Sequence, residues 1–354
     1  MNSTPDVLAD QWGRVADDLR ISLIDKCNLR CSYCMPEEGM TWLHKDNLLT
    51  AEEAIRIADI GVRMLGVKDI RFTGGEPLIR RDLEDIIAGV RRLHPDVSIS
   101  LTTNAINLDK RVNGLVEAGL TRINVSLDTP HAETFAAMTR RDRFDAVVKG
   151  IDAALTAGLH PVKVNAVMLR GVNDDQAAEL LDWCLQRGLQ LRFIEQMPLD
   201  ADRNWARENL VSAAEIRAQL SERFHIARNP EPRGSSPAEL WDVFAKDGSG
   251  DAGTTNDAGE PLGQVGIIAS VTESFCSACS RTRITADGHI RSCLFSQEES
   301  DLRELLRDGS SDEDIVKRWQ GAMWKKPRAY GSNELTLNSA DYVQPERTMS
   351  AIGG

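Results

Sequence analysis

The chain has 354 residues, 42% of them hydrophobic and 27% charged, the profile of a globular protein large enough for one big α/β domain with an appended module. A net charge of −12 argues against non-specific binding to nucleic acid or a membrane surface, both of which need a basic face. No stretch approaches the ~20 apolar residues of a bilayer span, and MNSTPDVLAD lacks the basic flank and apolar core of a secretory signal, so a cytoplasmic protein is expected.

Between about residues 19 and 194 strand-like and helix-like segments alternate. LRISLID (19–25) alternates apolar and polar residues as a strand does. The stretch at 50–66 has a Thr cap, early Glu residues and apolar residues at helical spacing. Strands are then expected at 67–73, 97–103, 121–127, 161–169 and 189–197. Helices are expected at 81–93, 107–119, somewhere within 131–157, and at 174–188. This order implies a parallel sheet with right-handed crossovers. The repeats are too few for a closed eight-fold barrel, so an incomplete (β/α)6 TIM-like barrel is expected, with its ligand site at the C-terminal ends of the strands. After residue 198 the pattern changes. A capped helix is read at 212–224, polar loops at 228–237 and 245–263, a strand at 265–271 and a helical stretch at about 299–324. The expected division is an N-terminal arm (1–14), a barrel core (15–200), a C-terminal extension (201–340) and a tail (341–354).

Seven cysteines are present, and six fall into two groups of three. Clustered cysteines in a cytosolic chain point to metal rather than disulfides. Cys184, in LLDWCLQRGL, sits among apolar neighbours and reads as core. Cys27, Cys31 and Cys34 follow the first strand as CNLRCSYC. Three thiolates on a four-iron cube leave one iron open for a small molecule. A structural zinc site would need a fourth ligand, and His44 is the only histidine near. The second group, Cys276, Cys279 and Cys293, also admits a zinc-ribbon reading with His289 as fourth ligand. Arg281 and Arg283 stand in alternate positions just beyond Cys279 and would point the same way in an extended segment. Forked guanidinium groups suit phosphate, although a solvated face is the other reading. Arg20, Arg71 and Lys163 lie inside strands otherwise suited to burial. They form either a polyanion site or ion pairs with Glu76, Asp128 or Glu195.

The C-x3-C-x2-C spacing, with Tyr33 before the last cysteine and Gly74-Gly75-Glu76-Pro77 ending the second strand, resembles the radical S-adenosylmethionine superfamily. Within it, RFTGGEPLIRRDL, LTTN, INVSLD, VKVNAVM, LRFIEQM, FCSACSRTRITADGHIRSCLF and the terminal Gly353-Gly354 make nearly the whole chain similar to the GTP 3′,8-cyclase family of molybdenum cofactor biosynthesis. The resemblance implies a barrel of the radical S-adenosylmethionine type, closed by a C-terminal extension that binds a second [4Fe-4S] cluster. It implies that Cys27, Cys31 and Cys34 hold the first cluster and S-adenosylmethionine, with cofactor contacts from Tyr33, Gly75, Ser126 and Met197. Cys276, Cys279 and Cys293 would hold the second cluster, whose open iron takes the guanine of GTP. Arg20, Arg71, Thr102, Lys163, Arg281, Thr282 and Arg283 would contact substrate, with Arg20, Arg281 and Arg283 also serving catalysis. Family members often carry Lys where this chain has Asp69, which puts one phosphate contact in doubt. The Gly-Gly tail would thread into the site.

The reaction so implied begins with a 5′-deoxyadenosyl radical that takes hydrogen from C3′ of GTP. The C3′ carbon then bonds to C8, giving the 3′,8-cyclo product. A flavodoxin or ferredoxin would supply electrons, and cyclic pyranopterin monophosphate synthase would take the product. A homodimer is one assembly open to the chain. Two other readings differ in what they predict. A peptide-modifying radical enzyme with an auxiliary cluster predicts iron at both sites without GTP binding. A zinc-stabilised binding protein predicts zinc and no colour.

Overall fold

The computed structural model describes residues 7–246, 260–332, 337 and 344–352. Most of the polar insertion expected at 245–263, and all of Gly353-Gly354, lie outside these described residues.

Six strands arise from the alternating half: β1 (Asp18–Ser22), β2 (Asp69–Thr73), β3 (Ser98–Thr103), β4 (Arg122–Ser126), β5 (Val162–Met168) and β6 (Gln190–Glu195). Between them run α1 (Ala51–Leu65), α2 (Leu83–Leu93), α3 (Val112–Glu117), α4 (Ala132–Thr139), α5 (Phe144–Thr156) and α6 (Ala177–Leu185). The second half adds α7 (Ala213–Arg223), β7 (Phe224–Arg228), β8 (Glu239–Ala245), β9 (Gly263–Ile268), β10 (Arg281–Ile284), β11 (His289–Arg291) and β12 (Ser300–Asp301). It ends with α8 (Arg303–Arg307), α9 (Asp312–Trp324) and the short α10 (Met349–Ile352).

One sheet runs in the order β12-β11-β10-β1-β2-β3-β4-β5-β6-β9-β8-β7. The six expected strands are parallel neighbours in sequence order. Two more parallel strands extend them, β9 beside β6 and β10 beside β1. The C-terminal half therefore flanks the six-stranded core at both edges, and antiparallel hairpins cap each side.

The two faces of this sheet are chemically opposite. Leu19, Ile21, Ile70, Phe72, Ile99, Leu101, Ile123, Val125, Val164, Leu191 and Phe193 are fully buried under the helices. Their neighbours in alternation face inward and are largely polar, because successive strand side chains point to opposite faces. Helix starts are set locally. Thr50 and Glu53 form a reciprocal capping box on α1, as do Ser212 and Glu215 on α7 and Ser311 and Asp314 on α9. Gly66 ends α1 in the left-handed conformation at φ +72°.

Four expectations are corrected in detail. The helix read at 107–119 is a 3-10 turn (Leu108–Lys110) followed by α3. The one read within 131–157 divides into α4 and α5 at Arg140, whose φ is +54°. The stretch at 299–324 holds β12, α8 and α9. The β7–β8 hairpin is not anticipated by the sequence, which reads there as a helix to 224, a polar loop at 228–237 and a second from 245, with no strand between them.

Candidate active site

The loop after β1 carries Cys27, Cys31 and Cys34. The Cys34 N–H donates to the Cys31 carbonyl at 2.9 Å, and Arg30 and Ser32 N–H groups donate to Thr139 and Met138 carbonyls at the end of α4. The start of the loop packs on the Gly-Gly turn after β2. Gly75 N–H donates to the Ile24 carbonyl at 2.7 Å, and a Cβ on Gly75 would lie 2.3 Å from the carbonyl oxygens of Asp25 and Lys26. Only glycine permits this approach. Glu76 is 1% exposed and accepts from Thr103 Oγ1 (2.6 Å), Asn104 N–H (2.7 Å) and Leu78 N–H (2.9 Å). Burial pushes its carboxyl up to about 7. The Tyr33 hydroxyl donates to Asp128 at 2.8 Å, and Asp128 also accepts from Val167 N–H at 2.8 Å.

The second trio sits in the turn before β10 and just after β11. Arg281 Nε donates to Cys279 Sγ at 3.3 Å, and Lys326 Nζ reaches the same sulfur at 3.4 Å. Burial alone would raise the Cys279 thiol, but Arg281 and Lys326 outweigh it and bring it down to about 5. Two cationic donors on one sulfur favour the thiolate, the form that binds metal. Burial instead pushes Cys27 to about 11 and Cys34 to about 12.

One cavity, about 1860 Å³ including its open mouth, is lined by all six of these cysteines. Tyr33, Gly75, Ser126 and Met197 line it, as do Arg20, Arg71, Thr102, Arg281 and Arg283. Lys163 lies one inward step below Asn165, which lines the cavity, toward the N-terminal end of β5. Thr282 does not face the cavity. Its residue is fully buried and its Oγ1 accepts from the Trp319 indole N–H at 2.9 Å, on the helix side of the sheet. Strand alternation puts it opposite Arg281 and Arg283. His289, the candidate zinc ligand, lies beside Asp287 and Asp301 and is not among the cavity-lining residues. Cys184 is fully buried core.

The carboxylates that might have neutralised the strand cations do not do so. Glu76 and Asp128 take the donors given above, and Glu195 accepts from Ala213, Val271 and Thr272 N–H groups. Among the described residues Arg20 forms one ion pair, with Asp18 at 3.7 Å. Burial first, and then Arg71, presses Arg20 down to about 9; burial, and then Arg20, does the same to Arg283. Arg20 Nε, Arg192 Nε, Arg281 Nη2 and Arg283 Nε are buried without hydrogen-bond partners. Crowded, desolvated guanidinium groups with spare donors suit a polyanion. Arg192 was not anticipated from the sequence. It pairs in register with Asn165 and lines the cavity, and a lone cation in an otherwise apolar strand was the available signal.

The donor sets fit the implied cofactors. Among the described residues no three His, Cys, Asp or Glu side chains converge on a single metal ion. Both trios instead border shared open space, as ligands of a cluster several ångström wide would. The cationic donors to Cys279 favour a ligating sulfur, and the Gly-Gly turn packs its backbone directly on the start of the first cysteine loop, holding that loop at the cavity wall.

Residues 21–184 match the Radical SAM superfamily model, and residues 189–332 match that of Molybdenum Cofactor Synthesis C. The chain is 57% identical over 347 residues to the GTP 3′,8-cyclase of Paenarthrobacter nicotinovorans, an alignment covering 98% of this chain and 97% of that one. This chain belongs to the GTP 3′,8-cyclase family. The GTP 3′,8-cyclase of Mycolicibacterium smegmatis is 53% identical, covering 98% of this chain and 92% of that relative. Among solved structures, Streptococcus suis SuiB bound to S-adenosylmethionine superposes with a TM-score of 0.57 at 17% identity, covering 89% of this chain and 69% of that one. At that identity the likeness is one of fold. For a member of the GTP 3′,8-cyclase family, the inward-facing arginines and both cysteine trios are the parts of the chain that await a substrate role.

Proposed function

We propose that GTP is cyclised inside this cavity, with S-adenosylmethionine at the Cys27, Cys31 and Cys34 end and GTP at the Cys276, Cys279 and Cys293 end. The observation that carries the reading is the common wall: both trios and four guanidinium groups with buried, unpartnered N–H atoms border one space. Cys27, Cys31 and Cys34 would hold one [4Fe-4S] cluster with S-adenosylmethionine, and Cys276, Cys279 and Cys293 the other; bound there, these groups would supply the radical chemistry that removes hydrogen from C3′ of GTP and an open iron for the guanine.

The chain's own residues bind and orient. Arg20, Arg71, Lys163, Arg192, Arg281 and Arg283 hold the triphosphate, and Thr102 lies on the same wall. The Tyr33–Asp128 hydrogen bond fixes the ring beside the first cysteine loop. Gly75, Ser126 and Met197 shape the cofactor end. Thr282 serves indirectly: its bond to Trp319 sets the strand so that Arg281 and Arg283 face inward. A deep, positively lined cavity limits water around the substrate and brings C3′ toward the cofactor, which is how a positioning protein contributes to difficult chemistry.

Near-full-length likeness to cyclases at more than half identity favours this reading over a peptide-modifying enzyme with an auxiliary cluster. No described helix is long and apolar enough to cross a membrane. A cytoplasmic enzyme served by a flavodoxin or ferredoxin is part of this reading. Its product would pass to cyclic pyranopterin monophosphate synthase. The proposed division remains an arm (1–14), a core (15–200), an extension (201–340) and a tail (341–354). The test is the Arg281→Ala, Arg283→Ala double variant: cyclisation should vanish while uncoupled cleavage of S-adenosylmethionine stays measurable. Full cyclisation activity would overturn the assignment.

A further inference from the structure

Lys326, two residues past α9, is not among the cavity-lining residues, yet it is only 2% exposed. Its Nζ donates to the Arg281 carbonyl at 2.8 Å, the Cys279 carbonyl at 3.1 Å and the Cys279 Sγ at 3.4 Å. An ammonium has three N–H donors, and these acceptors use all of them. Two carbonyls could be satisfied by a neutral donor. The sulfur gains from the positive charge, which is placed in a desolvated spot where its field is strong.

The lysine is also held in place. Trp12 Nε1 donates to the Lys326 carbonyl at 3.1 Å. Arg14 donates to the carbonyls of Pro327 (2.7 Å), Arg328 (2.9 Å) and Cys276 (2.8 Å). The N-terminal arm thereby ties the segment bearing Lys326 to the turn bearing Cys276. The first trio is treated differently: Cys27 Sγ takes neutral donors, Leu29 N–H at 3.4 Å and Asn104 Nδ2 at 3.9 Å.

We propose that Lys326 is a positioning residue for the second cluster, its ammonium holding Cys279 as a ligand and raising the reduction potential of the cluster bound there. The inference rests on the reading that the second trio carries a cluster. A hydrogen bond and a positive charge at a ligating sulfur stabilise the more negative, reduced state, so the potential rises. Arg281 donates to the same sulfur but faces the substrate. Lys326 reaches the sulfur from behind the cavity wall and is not among the lining residues, so its effect persists whether or not GTP is bound.

The test is an anaerobic redox titration of the full-length, reconstituted holoenzyme, followed by electron paramagnetic resonance, comparing parent, Lys326→Met, Lys326→Gln and Lys326→Arg. The midpoint of the second cluster should move to more negative values in Lys326→Met and Lys326→Gln and be largely restored in Lys326→Arg, while the first cluster's midpoint stays put. If Lys326→Met loses the second cluster, Lys326→Gln decides. An unshifted second midpoint in an assembled variant, or equal shifts in both clusters, would overturn the proposal. A parent protein without a second cluster signal would overturn the underlying site reading instead, and the proposal with it.

Discussion

Asp69 on β2 forms an ion pair with Arg122 on β4, reaching across β3, where Ser98 Oγ accepts from the same guanidinium at 2.6 Å. The pair lies on the cationic inner face, and the carboxylate opposes a bound triphosphate. Asp69→Asn should therefore tighten GTP binding, by about threefold, because both side chains are more than a third exposed and solvent screens them. Isothermal titration calorimetry checks this; weaker binding in the variant would mean that Asp69 is needed to present Arg122.

Lys163 gives the site a pH dependence. Burial, and then Arg192, lowers its ammonium to about 8. A lysine with a lowered pKa is charged below that value and neutral above it, so the free site loses a cation as pH rises through about 8. Triphosphate binding favours the charged form, so GTP affinity should fall above pH 8 and binding should take up a proton there. Lys163→Arg should flatten this profile, since Arg stays charged. Calorimetry in buffers of different ionisation enthalpy reads the proton directly.

Glu195 ends β6 without a cation. Its Oε1 accepts from Ala213 N–H at 2.8 Å and Thr272 Oγ1 at 2.5 Å, and its Oε2 accepts from Val271 N–H at 2.8 Å and Thr272 N–H at 2.9 Å. One buried carboxylate thus joins β6, the start of α7 and the turn after β9. Glu195→Gln keeps the shape but turns an amide donor toward N–H groups, and should cost about 3 kcal/mol of stability. Denaturant unfolding under anaerobic conditions measures it; Glu195→Asp should be milder than Glu195→Gln if charge rather than reach dominates.

Gly75→Ala would push a methyl group into the carbonyls of Asp25 and Lys26, so the cysteine loop must shift. The variant should lose S-adenosylmethionine binding by at least about tenfold while unfolding cooperatively, since the clash is at the loop and not in the apolar face of the sheet. Equilibrium dialysis with labelled cofactor checks it, with Gly321→Ala in α9 as a control, where a methyl group meets nothing within 4 Å and the backbone is helical.

Much of this was legible in the chain. Alternation located the six core strands and put Arg20 and Arg71 on one face, because a period of two is a local property. Thr282 was given to the substrate site by family resemblance alone; in the strand it faces away from Arg281 and Arg283 and accepts from the Trp319 indole. The β9 and β10 edges were not legible. Which strand pairs with which depends on contacts across hundreds of residues, and no local pattern records them. Lys326 was silent for the same reason: one lysine in KKPR looks solvated until the fold brings Cys279 to it.

The central claim is that GTP lies in one cavity with its C3′ hydrogen presented to the cofactor held by Cys27, Cys31 and Cys34. Anaerobic turnover of GTP deuterated at C3′, followed by mass analysis of the 5′-deoxyadenosine formed, tests it most directly. The account predicts one deuterium carried into 5′-deoxyadenosine together with the cyclised nucleotide. Unlabelled 5′-deoxyadenosine alongside cyclised product would contradict it.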